Sequence, residues 1–415
     1  MRRRVVVTGL GAITPVGNDV ATTWKSLLEG KSGTAPITKF DASTFPTRFA
    51  AEVKGFDPLL YMERKEARRA DQYTQYAVGA AWQAMRDAGL VDKPVADTDR
   101  LGVIVGSGIG GLKSFEEQHD VYRERGVGKI SPFFIPMFIA DIASGVVSMQ
   151  FNARGPNYAT VSACSTSAHA IGDAFRTIQY GDADVMITGG AEATVTPMAI
   201  GGFANMKALS ERNDSPSTAS RPFDLTRDGF VMGEGSGIVI LEELEHAKAR
   251  GAKIYGEVAG YGATGDAYHL TSQPDEHEGL QRSMKRALKD AGLTPADVDY
   301  VNAHGTSTPL NDSNEAKAIS RVFGADAANI NVSSTKSATG HMLGAAGATE
   351  FIVSLLSIQD KCVPPTINLN QIDPECGDLN FTPNTAQQRT VRAALSNSAG
   401  FGGHNVTLAV KRFDD

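Results

Sequence analysis

A chain of 415 residues with 41% hydrophobic and 21% charged residues can bury a large core, and long disordered stretches are not expected. The net charge of −7 argues against nonspecific nucleic-acid binding, and no apolar run approaches the length of a membrane span. The three cysteines, Cys164, Cys362 and Cys376, have neither metal-site nor disulfide spacing, so we predict a cytoplasmic protein that requires no metal or other cofactor.

The first predicted element is a strand at residues 4–8, whose apolar run is too short for a signal peptide. It leads into a glycine segment at 9–17 that matches a dinucleotide fingerprint weakly. A stricter Gly-x-Gly-x-x-Gly follows the predicted strand 101–105, at 106–111. Because the helix after it starts late and no acidic residue closes a strand at the expected distance, an NAD(P)-dependent oxidoreductase is a disfavoured alternative.

Two helices are predicted between these glycine segments, one starting near residue 61 and one with an apolar face at 73–85. The first carries four basic residues at helical spacing in an acidic protein, namely Arg64, Lys65, Arg68 and Arg69. On charge alone, a solvated helix face laced with Glu63 and Glu66 is the better interpretation.

Cys164 lies where an extended segment turns into a helix. Residues 158–161 are aromatic and β-branched, as in a buried strand, and apolar residues recur at helical spacing over 168–178. A thiol at a helix N-terminus faces unpaired N–H groups and the positive end of the helix dipole, which predicts a lowered pKa and a nucleophile. From this segment alone, a packed and inert cysteine is an equally good interpretation.

The later sequence echoes the earlier one. After strands at 183–192 and 238–242 and a helix at 244–250, the chain starts again with a strand at 253–259. Three later segments then repeat three earlier ones in order: 298–308 echoes 101–111, 330–350 echoes the Cys164 segment, and 391–403 echoes 187–190. We predict two α/β halves, residues 1–250 and 251–415, whose corresponding turns meet at one crevice.

That crevice would hold Cys164, His304, Lys336 and His341. Each histidine alone could be a packed core residue, but a thiolate beside two imidazoles suits hydrolysis or acyl transfer. Four motifs occur in order: Ala-Cys-Ser-Thr-Ser at 163–167, Asn-Ala-His-Gly-Thr-Ser-Thr at 302–308, Ser-Thr-Lys-Ser-Ala-Thr-Gly-His at 334–341, and Asn-Ser-Ala-Gly-Phe-Gly-Gly at 397–403. Over essentially the whole chain, the sequence resembles the β-ketoacyl-acyl carrier protein synthase family, closest to its elongating type II branch in bacterial fatty acid synthesis.

The resemblance implies an α/β thiolase fold of five layers, α-β-α-β-α, from two duplicated halves, and a homodimer. It implies that Cys164 takes an acyl chain from acyl carrier protein as a thioester, which the enolate of decarboxylating malonyl-carrier protein attacks. The backbone N–H groups of Cys164 and Phe401 would form the oxyanion hole, and His304 and His341 would stabilise the enolate oxygen. Behind these histidines, Lys336 would pair with Glu350.

Substrate contacts are implied as well: Thr306 and Thr308 would bind the phosphopantetheine arm, and Ile109 and Phe203 would border the acyl channel. Phe401 would gate the malonyl half-reaction, and Gly402 beside it would bind substrate. The acidic carrier protein would dock on basic residues, namely Arg64, Lys65, Arg68, Arg69, Lys129 and Lys207. A structural monovalent cation, seen in some relatives, is left open near Asn302, Glu350, Ser396 and Asn397.

Two positions depart from the family pattern. Relatives usually have phenylalanine where Ala399 stands, so the gate loop is expected to be looser or the pocket larger, and chain-length preference stays open. Relatives often have threonine where His404 stands. We interpret His404 as a loop histidine.

A polyketide-building ketosynthase is the nearest alternative. A degradative thiolase is disfavoured because Cys376 lies too far before the last glycine turn, and an initiating synthase is disfavoured because that type has asparagine where His341 stands. A scaffold that only binds carrier protein is weaker still.

Overall fold

The computed structural model describes residues 2–414. The strands are β1 (Val5–Ile13), β2 (Ala35–Pro36), β3 (Phe49–Ala50), β4 (Leu101–Gly106), β5 (Asn157–Tyr158), β6 (Val185–Glu192), β7 (Gly235–Glu243), β8 (Gly256–Gly265), β9 (Tyr300–Asn302), β10 (Asn331–Ser333), β11 (Cys362–Val363), β12 (Gln387–Gln388), β13 (Ala393–Gly400) and β14 (His404–Lys411). The helices are α1 (Val20–Leu28), α2 (Arg64–Ala67), α3 (Gln72–Asp87), α4 (Leu112–Arg125), α5 (Phe134–Phe138), α6 (Ile142–Phe151), α7 (Thr166–Tyr180), α8 (Pro197–Asn205), α9 (Leu244–Ala249), α10 (Glu278–Ala291), α11 (Pro309–Phe323), α12 (Lys336–Thr339) and α13 (Ala346–Asp360).

Ten of these strands form one mixed sheet in the order β10-β9-β13-β14-β8-β1-β7-β6-β4-β5. From each edge inward, the strands of one half come in the same order: third, second, fourth, fifth, first. In each half the second strand pairs in parallel with the third and fourth, and the fifth pairs antiparallel with the fourth and first. The topology therefore contains the predicted duplication, and β1 meets β8 where the halves join. The predicted boundary at residue 250 lies between α9 and β8.

Helices α7 and α13 form the central layer. Both contact strands of both halves, and Phe175 and Phe351 on these helices share one buried cluster with Val239 and Leu408 from the two halves of the sheet. Helices α3 and α6 cover the outer face of the first half, and α10 and α11 cover that of the second. The order of layers is thus α-β-α-β-α, as predicted.

The glycines near the N-terminus serve packing rather than ligand binding. The first strand was predicted to end at residue 8, but β1 continues to Ile13 and pairs with β7 over this stretch. A Cβ on Gly9 would lie 2.2 Å from the carbonyl oxygen of Ala84, and one on Gly11 would lie 1.9 Å from that of Ala80. These glycines are needed because α3 packs its backbone directly on the strand.

The predicted buried strand at 158–161 is wrong in extent and in burial. Only Asn157–Tyr158 pairs with β4, and β5 is the edge of the sheet. Tyr158 is 43% exposed and Val161 is 61% exposed. Aromatic and β-branched residues indicated an extended segment there, but they could not indicate that its outer side has no strand beside it.

Within residues 2–414, no helix combines the length and apolar composition that crossing a bilayer requires. In the same residues, no three His, Cys, Asp or Glu side chains form a group that could hold a metal ion.

Candidate active site

A cavity of about 520 Å³ opens where the turns of the two halves meet. Cys164 reaches it from the first half, and His304, His341 and Phe401 reach it from the second. The predicted channel and arm residues line it too, namely Ile109, Phe203, Thr306 and Thr308. Gly402 is not among the lining residues, and its backbone N–H donates to the carbonyl oxygen of Leu270 at 2.7 Å.

Cys164 is the middle residue of a 3₁₀ turn, Ala163–Ser165, that runs directly into α7. Ala163 has a φ of 51°, in the left-handed region that residues with a Cβ rarely adopt. Gly400 passes so close to this turn that a Cβ on it would lie 2.7 Å from the carbonyl oxygen of Ser162. The absence of that Cβ allows the strand leading to Phe401 to reach the thiol.

Burial raises the pKa of the Cys164 thiol to about 12. Lys336 opposes this shift, Glu192 adds to it, and the backbone N–H groups of Phe401 and Cys164, which hydrogen-bond the sulfur, lower the pKa. The predicted lowering of this pKa is wrong, because the cavity walls desolvate the thiolate more than the helix end stabilises it. The resting side chain is therefore a neutral thiol.

Each histidine is held by its backbone, which leaves the ring free. The N–H groups of His304 and Gly305 donate to the carboxylate of Glu315 at 2.8 and 2.7 Å. His341 donates its backbone N–H to the carbonyl oxygen of Val231 at 2.7 Å. The centroids of the two imidazole rings lie 5.3 Å apart, with the rings at 85°.

Both imidazoles are neutral near pH 7. Burial lowers the pKa of His304 and of His341 well below the ordinary value, and the positive charge of Lys336 lowers both further. Neither ring nitrogen of His341 has a hydrogen-bond partner, and neither does Nδ1 of His304. A neutral imidazole has one N–H donor and one acceptor nitrogen, so this pair can donate to one substrate atom and accept a proton from another.

Lys336 and Glu350 form a buried ion pair, with 1% and 3% of their side chains exposed. Burial raises the pKa of Glu350 to about 7, and the adjacent Lys336 opposes that shift. The same lysine lowers the pKa of Cys164 and of both histidines. One buried cation therefore acts on all three groups that face the cavity.

Comparison with known proteins agrees with this geometry. The chain matches the family models "Beta-ketoacyl synthase, N-terminal domain" over residues 2–247 and "Beta-ketoacyl synthase, C-terminal domain" over residues 255–370. The chain belongs to the β-ketoacyl synthase family. It is 54% identical over 412 residues to 3-oxoacyl-[acyl-carrier-protein] synthase 2 of Synechocystis sp., covering 99% of both chains. It is 53% identical over 414 residues to the protein of that name from Coxiella burnetii, covering 100% of both.

Solved ketosynthases have the same fold. A β-ketoacyl synthase from Burkholderia phymatum superposes with a TM-score of 0.92 at 35% identity, covering 100% of both chains. A type II polyketide synthase ketosynthase, solved in complex with its acyl-carrier protein and bound to the hexaketide, gives 0.92 at 36% identity and the same coverage. The predicted family and thiolase-like fold are confirmed, and the protein is a condensing enzyme of the acyltransferase type.

In this ketoacyl synthase the Gly-x-Gly-x-x-Gly segment at 106–111 is a cavity wall. The backbone N–H groups of Gly108 and Ile109 donate to the buried carboxylate of Glu192, at 2.8 and 3.3 Å. A dinucleotide site would need such N–H groups for its phosphates. The oxidoreductase alternative loses its basis because the protein's own carboxylate occupies them.

The predicted docking residues are all on the surface, namely Arg64, Lys65, Arg68, Arg69, Lys129 and Lys207. Glu63 and Glu66 form a capping box at the N-terminus of α2 rather than pairing with the arginines. Arg69 stacks on Phe133, and Lys207 lines the cavity and pairs with Glu211 at 3.4 Å.

The two departures from the family pattern lie at different depths. Ala399 lines the cavity of this ketoacyl synthase and is 6% exposed. His404 begins β14, and its ring packs edge-on against His169 with centroids 6.3 Å apart. His404 is not among the residues that line the cavity.

Sequence reasoning missed Glu315 and Phe230. Glu315 holds the backbone of His304, and the ring of Phe230 packs edge-on against His341 with centroids 5.4 Å apart. A buried carboxylate eleven positions after a motif histidine leaves no local signal, because its role depends on α11 turning back onto the strand end. Phe230 lies in the loop that leads into β7, where no sequence motif marks it.

Proposed function

We propose that this ketoacyl synthase extends acyl chains on acyl carrier protein by decarboxylating condensation on Cys164. The observation that carries the proposal is that one thiol, two neutral imidazoles and two convergent backbone N–H groups face one cavity. The names of the relatives, 3-oxoacyl-[acyl-carrier-protein] synthase 2, support the carrier-bound substrate.

The first half-reaction loads the acyl chain. As the sulfur of Cys164 bonds to the thioester carbonyl carbon, its proton passes to the acceptor nitrogen of a neutral cavity imidazole. The tetrahedral oxyanion accepts hydrogen bonds from the N–H groups of Phe401 and Cys164, which already converge on the sulfur. The carbon–sulfur bond to the carrier then breaks, and the departing pantetheine sulfur takes the proton.

The second half-reaction forms the carbon–carbon bond. Malonyl thioester loses CO₂, and the electrons of the broken bond become an enolate whose oxygen accepts hydrogen bonds from His304 and His341. The enolate carbon attacks the thioester on Cys164, and the carbon–sulfur bond breaks. The cysteine sulfur leaves as a thiolate, which takes a proton from solvent water. The low pKa values of both histidines suit this step, because they keep the rings neutral. A neutral imidazole donates a hydrogen bond to the enolate oxygen without protonating the enolate, whereas an imidazolium would protonate it.

The substrate arm and chain have separate places in the proposal. The hydroxyls of Thr306 and Thr308 hydrogen-bond each other at 2.8 Å on the cavity wall and would bind the amides of the phosphopantetheine arm. The ring centroid of Phe401 lies 6.3 Å from that of Phe203, so the gate residue and the channel residue form one apolar boundary. Ile109 borders the channel beyond them.

Carrier docking on α2 is supported by unpaired surface charge. Within residues 2–414, Arg64, Lys65 and Arg68 take part in no ion pair, so they can meet an acidic partner without losing a contact. Reversing Lys65 and Arg68 to glutamate should raise KM for acyl carrier protein about tenfold and leave turnover of acyl-pantetheine unchanged. Lys289→Glu, on the far face of the second half, is the control, and an equal loss with acyl-pantetheine would refute docking there.

A homodimer is supported by the edge of the sheet. Strand β5 has a strand on one side only, and beside it lie exposed apolar side chains, at Tyr158 (43%), Val161 (61%) and Met149 (74%). A second copy related by a twofold axis would pair with this edge. Val161→Arg should shift sedimentation to the monomer, whereas Leu60→Arg, elsewhere on the surface, should not. A dimer that survives Val161→Arg would exclude this interface.

We also propose a cytoplasmic location, because a thiol nucleophile needs a reducing compartment, and Cys164, Cys362 and Cys376 are all unpaired.

We propose as well that a monovalent cation binds beside the histidines. Oδ1 of Asn302 and Oε2 of Glu350 are buried without hydrogen-bond partners, and Ser396 on β13 lies opposite Asn302 on β9. The amide oxygen of Asn397 is already taken by Thr407. If the cation binds, Tm should be higher in KCl than in tetramethylammonium chloride at the same concentration.

Fatty acid elongation is favoured over polyketide assembly because identity is 54% and 53% to the 3-oxoacyl synthases but 36% to the polyketide ketosynthase. The test mixes the protein with saturated acyl-carrier proteins and carbon-labelled malonyl-carrier protein. Elongation by one two-carbon unit and product release supports the proposal. Labelled CO₂ without a β-ketoacyl product would refute condensation, and successive unreduced extensions would favour the polyketide alternative.

A further inference from the structure

Glu192, at the end of β6, is a fully buried carboxylate that the proposed chemistry does not use. Its Oε1 accepts hydrogen bonds from the Ser107 hydroxyl at 2.8 Å and the Ile109 N–H at 3.3 Å. Its Oε2 accepts from the N–H groups of Gly108 at 2.8 Å and Gly344 at 2.9 Å. All four partners are donors, and only a carboxylate presents acceptors on both oxygens.

The donors come from both halves of the chain. Gly108 and Ile109 line the cavity from the first half, with Ser107 directly before them, and Gly344 is the middle of the 3₁₀ turn Leu343–Ala345 that follows His341. A Cβ on Gly344 would lie 2.4 Å from the nitrogen of Gly108, and one on Gly108 would lie 3.2 Å from the carbonyl oxygen of Ala163. The wall, the cysteine turn and the histidine-side turn thus close around one carboxylate.

The charge of Glu192 also acts on the thiol. It raises the pKa of Cys164, whereas Lys336 lowers it. Burial raises the pKa of Glu192 itself to about 7, against the four hydrogen bonds. Tyr73 on α3 is another titratable group that senses Glu192. The charge of Glu192, held beside the cysteine turn, therefore changes around neutral pH.

We propose that Glu192 is a positioning residue that ties the acyl-cavity wall to the turn after His341, and that its charge, held beside the cysteine turn, acts on the reactivity of Cys164. The proposal rests on the proposed role of Cys164 as nucleophile. It separates two functions of one side chain, because hydrogen bonding holds the two halves in register and charge sets the reactivity of the sulfur.

The test measures alkylation of Cys164 by iodoacetamide against pH, read by intact mass, together with condensation kinetics. Glu192→Gln places an NH₂ group against two of the four hydrogen-bond donors and removes the charge. We expect kcat/KM for condensation to fall about tenfold or more and alkylation at pH 7.5 to rise about three- to tenfold. A merely structural role would not accelerate alkylation.

Two variants separate the functions. Glu192→Asp keeps the charge but shortens the reach, and Ser107→Ala removes one donor and keeps the carboxylate. Both should reduce kcat/KM, and neither should raise the alkylation rate more than about twofold. Wild-type kcat/KM in Glu192→Gln and Glu192→Asp would overturn the positioning role. A wild-type alkylation profile in Glu192→Gln would overturn the charge role.

The charge role can also be tested in the wild type, should Glu192→Gln not fold. Ionisation of Glu192 should flatten the rise of log alkylation rate with pH between about 6 and 8, whereas a lone thiol gives a constant slope near one. A constant slope would overturn the charge role. Alkylation needs no condensation, so this result is independent of the proposed reaction.

Discussion

The cysteine turn, Ala163–Ser165, and its counterpart in the second half, Leu343–Ala345, have similar backbone conformations, but only the first carries a reactive side chain. Both begin with a residue at positive φ, 51° at Ala163 and 43° at Leu343, and both lead into a helix of 15 residues. The middle residue is Cys164 in one and Gly344 in the other. The strained turn therefore belongs to the scaffold, and a single side chain makes one copy the nucleophile.

The strand ends that face these turns show the reverse exchange. Strand β6 ends at Glu192 and its counterpart β13 ends at Gly400. Glu192 reaches Gly344 of the opposite turn, and Gly400 lies against Cys164 with no side chain between. At each of these two contacts, a residue with a functional side chain therefore faces a glycine. A perfectly symmetric pair of halves would place either two side chains or none at each contact.

The second half also has a short helix, α12, between its strand and its turn. It carries Lys336, and His341 follows its C-cap residue, Gly340. The first half has no helix between β5 and the cysteine turn. The buried cation therefore comes from an element that only one copy has, and one of the two imidazoles follows that element, which predicts that the two half-reactions can be lost separately.

The largest effect is expected at the nucleophile. Cys164→Ser should reduce condensation about a thousandfold or more, because a serine hydroxyl is a far weaker nucleophile among neutral imidazoles. Covalent acylation followed by intact mass is the direct measurement. Cys362→Ser, a buried cysteine that does not line the cavity, is the matched control and should retain activity. Acylation that persists at the wild-type rate in Cys164→Ser would move the nucleophile elsewhere.

The next largest effect is expected at His341, which lies just before the turn Leu343–Ala345 of the second half. His341→Asn keeps a polar side chain of similar reach but removes one imidazole beside His304, so CO₂ release from malonyl-carrier protein should fall about 100- to 1000-fold. Acylation of Cys164 should survive, since the N–H groups of Phe401 and Cys164 remain. Equal loss of acylation and decarboxylation would show that the two turns do not divide the reaction.

Much of this division could be predicted from the sequence, because each motif is local. The order of strand, turn and helix identified the Cys164 segment, and its echo at 330–350 located Lys336 and His341 at the same edge. The raised pKa of Cys164 could not be predicted, since it depends on burial and on Glu192, which only the fold brings to the sulfur. The exposure of residues 158–161 likewise depends on which strand ends at the edge.

A third prediction concerns the buried ion pair behind the second turn. Lys336→Met leaves the Glu350 carboxylate buried without its cation, which should cost about 3–5 kcal/mol of the free energy of unfolding. Lys336→Met with Glu350→Gln removes both charges and should recover most of that loss, measured by denaturant unfolding. Loss of the positive charge also raises the pKa of His304, His341 and the Cys164 thiol, because Lys336 lowers all three.

The direction of the change in the Cys164 pKa is checked by the rate of alkylation at a fixed pH. With Lys336 gone the thiolate is less stabilised, so alkylation of Cys164 at a fixed pH should slow down, opposite to the acceleration expected for Glu192→Gln. The double variant should remain slow, since it restores folding stability without restoring the cation. Faster alkylation in either lysine variant would mean that Lys336 does not act on the sulfur through its charge.

The smallest effect is expected at Ala399, where β13 passes the cavity. Its counterpart in the first half is Ala191, which is fully buried in the sheet, whereas Ala399 lines the cavity. Ala399→Phe should fill part of the 520 Å³, so kcat/KM for long acyl chains should fall about tenfold while that for short chains stays within about twofold. Ala399→Ser, which adds almost no volume, is the control. An equal loss at every chain length would assign residue 399 to the motion of the Phe401 loop rather than to the size of the pocket.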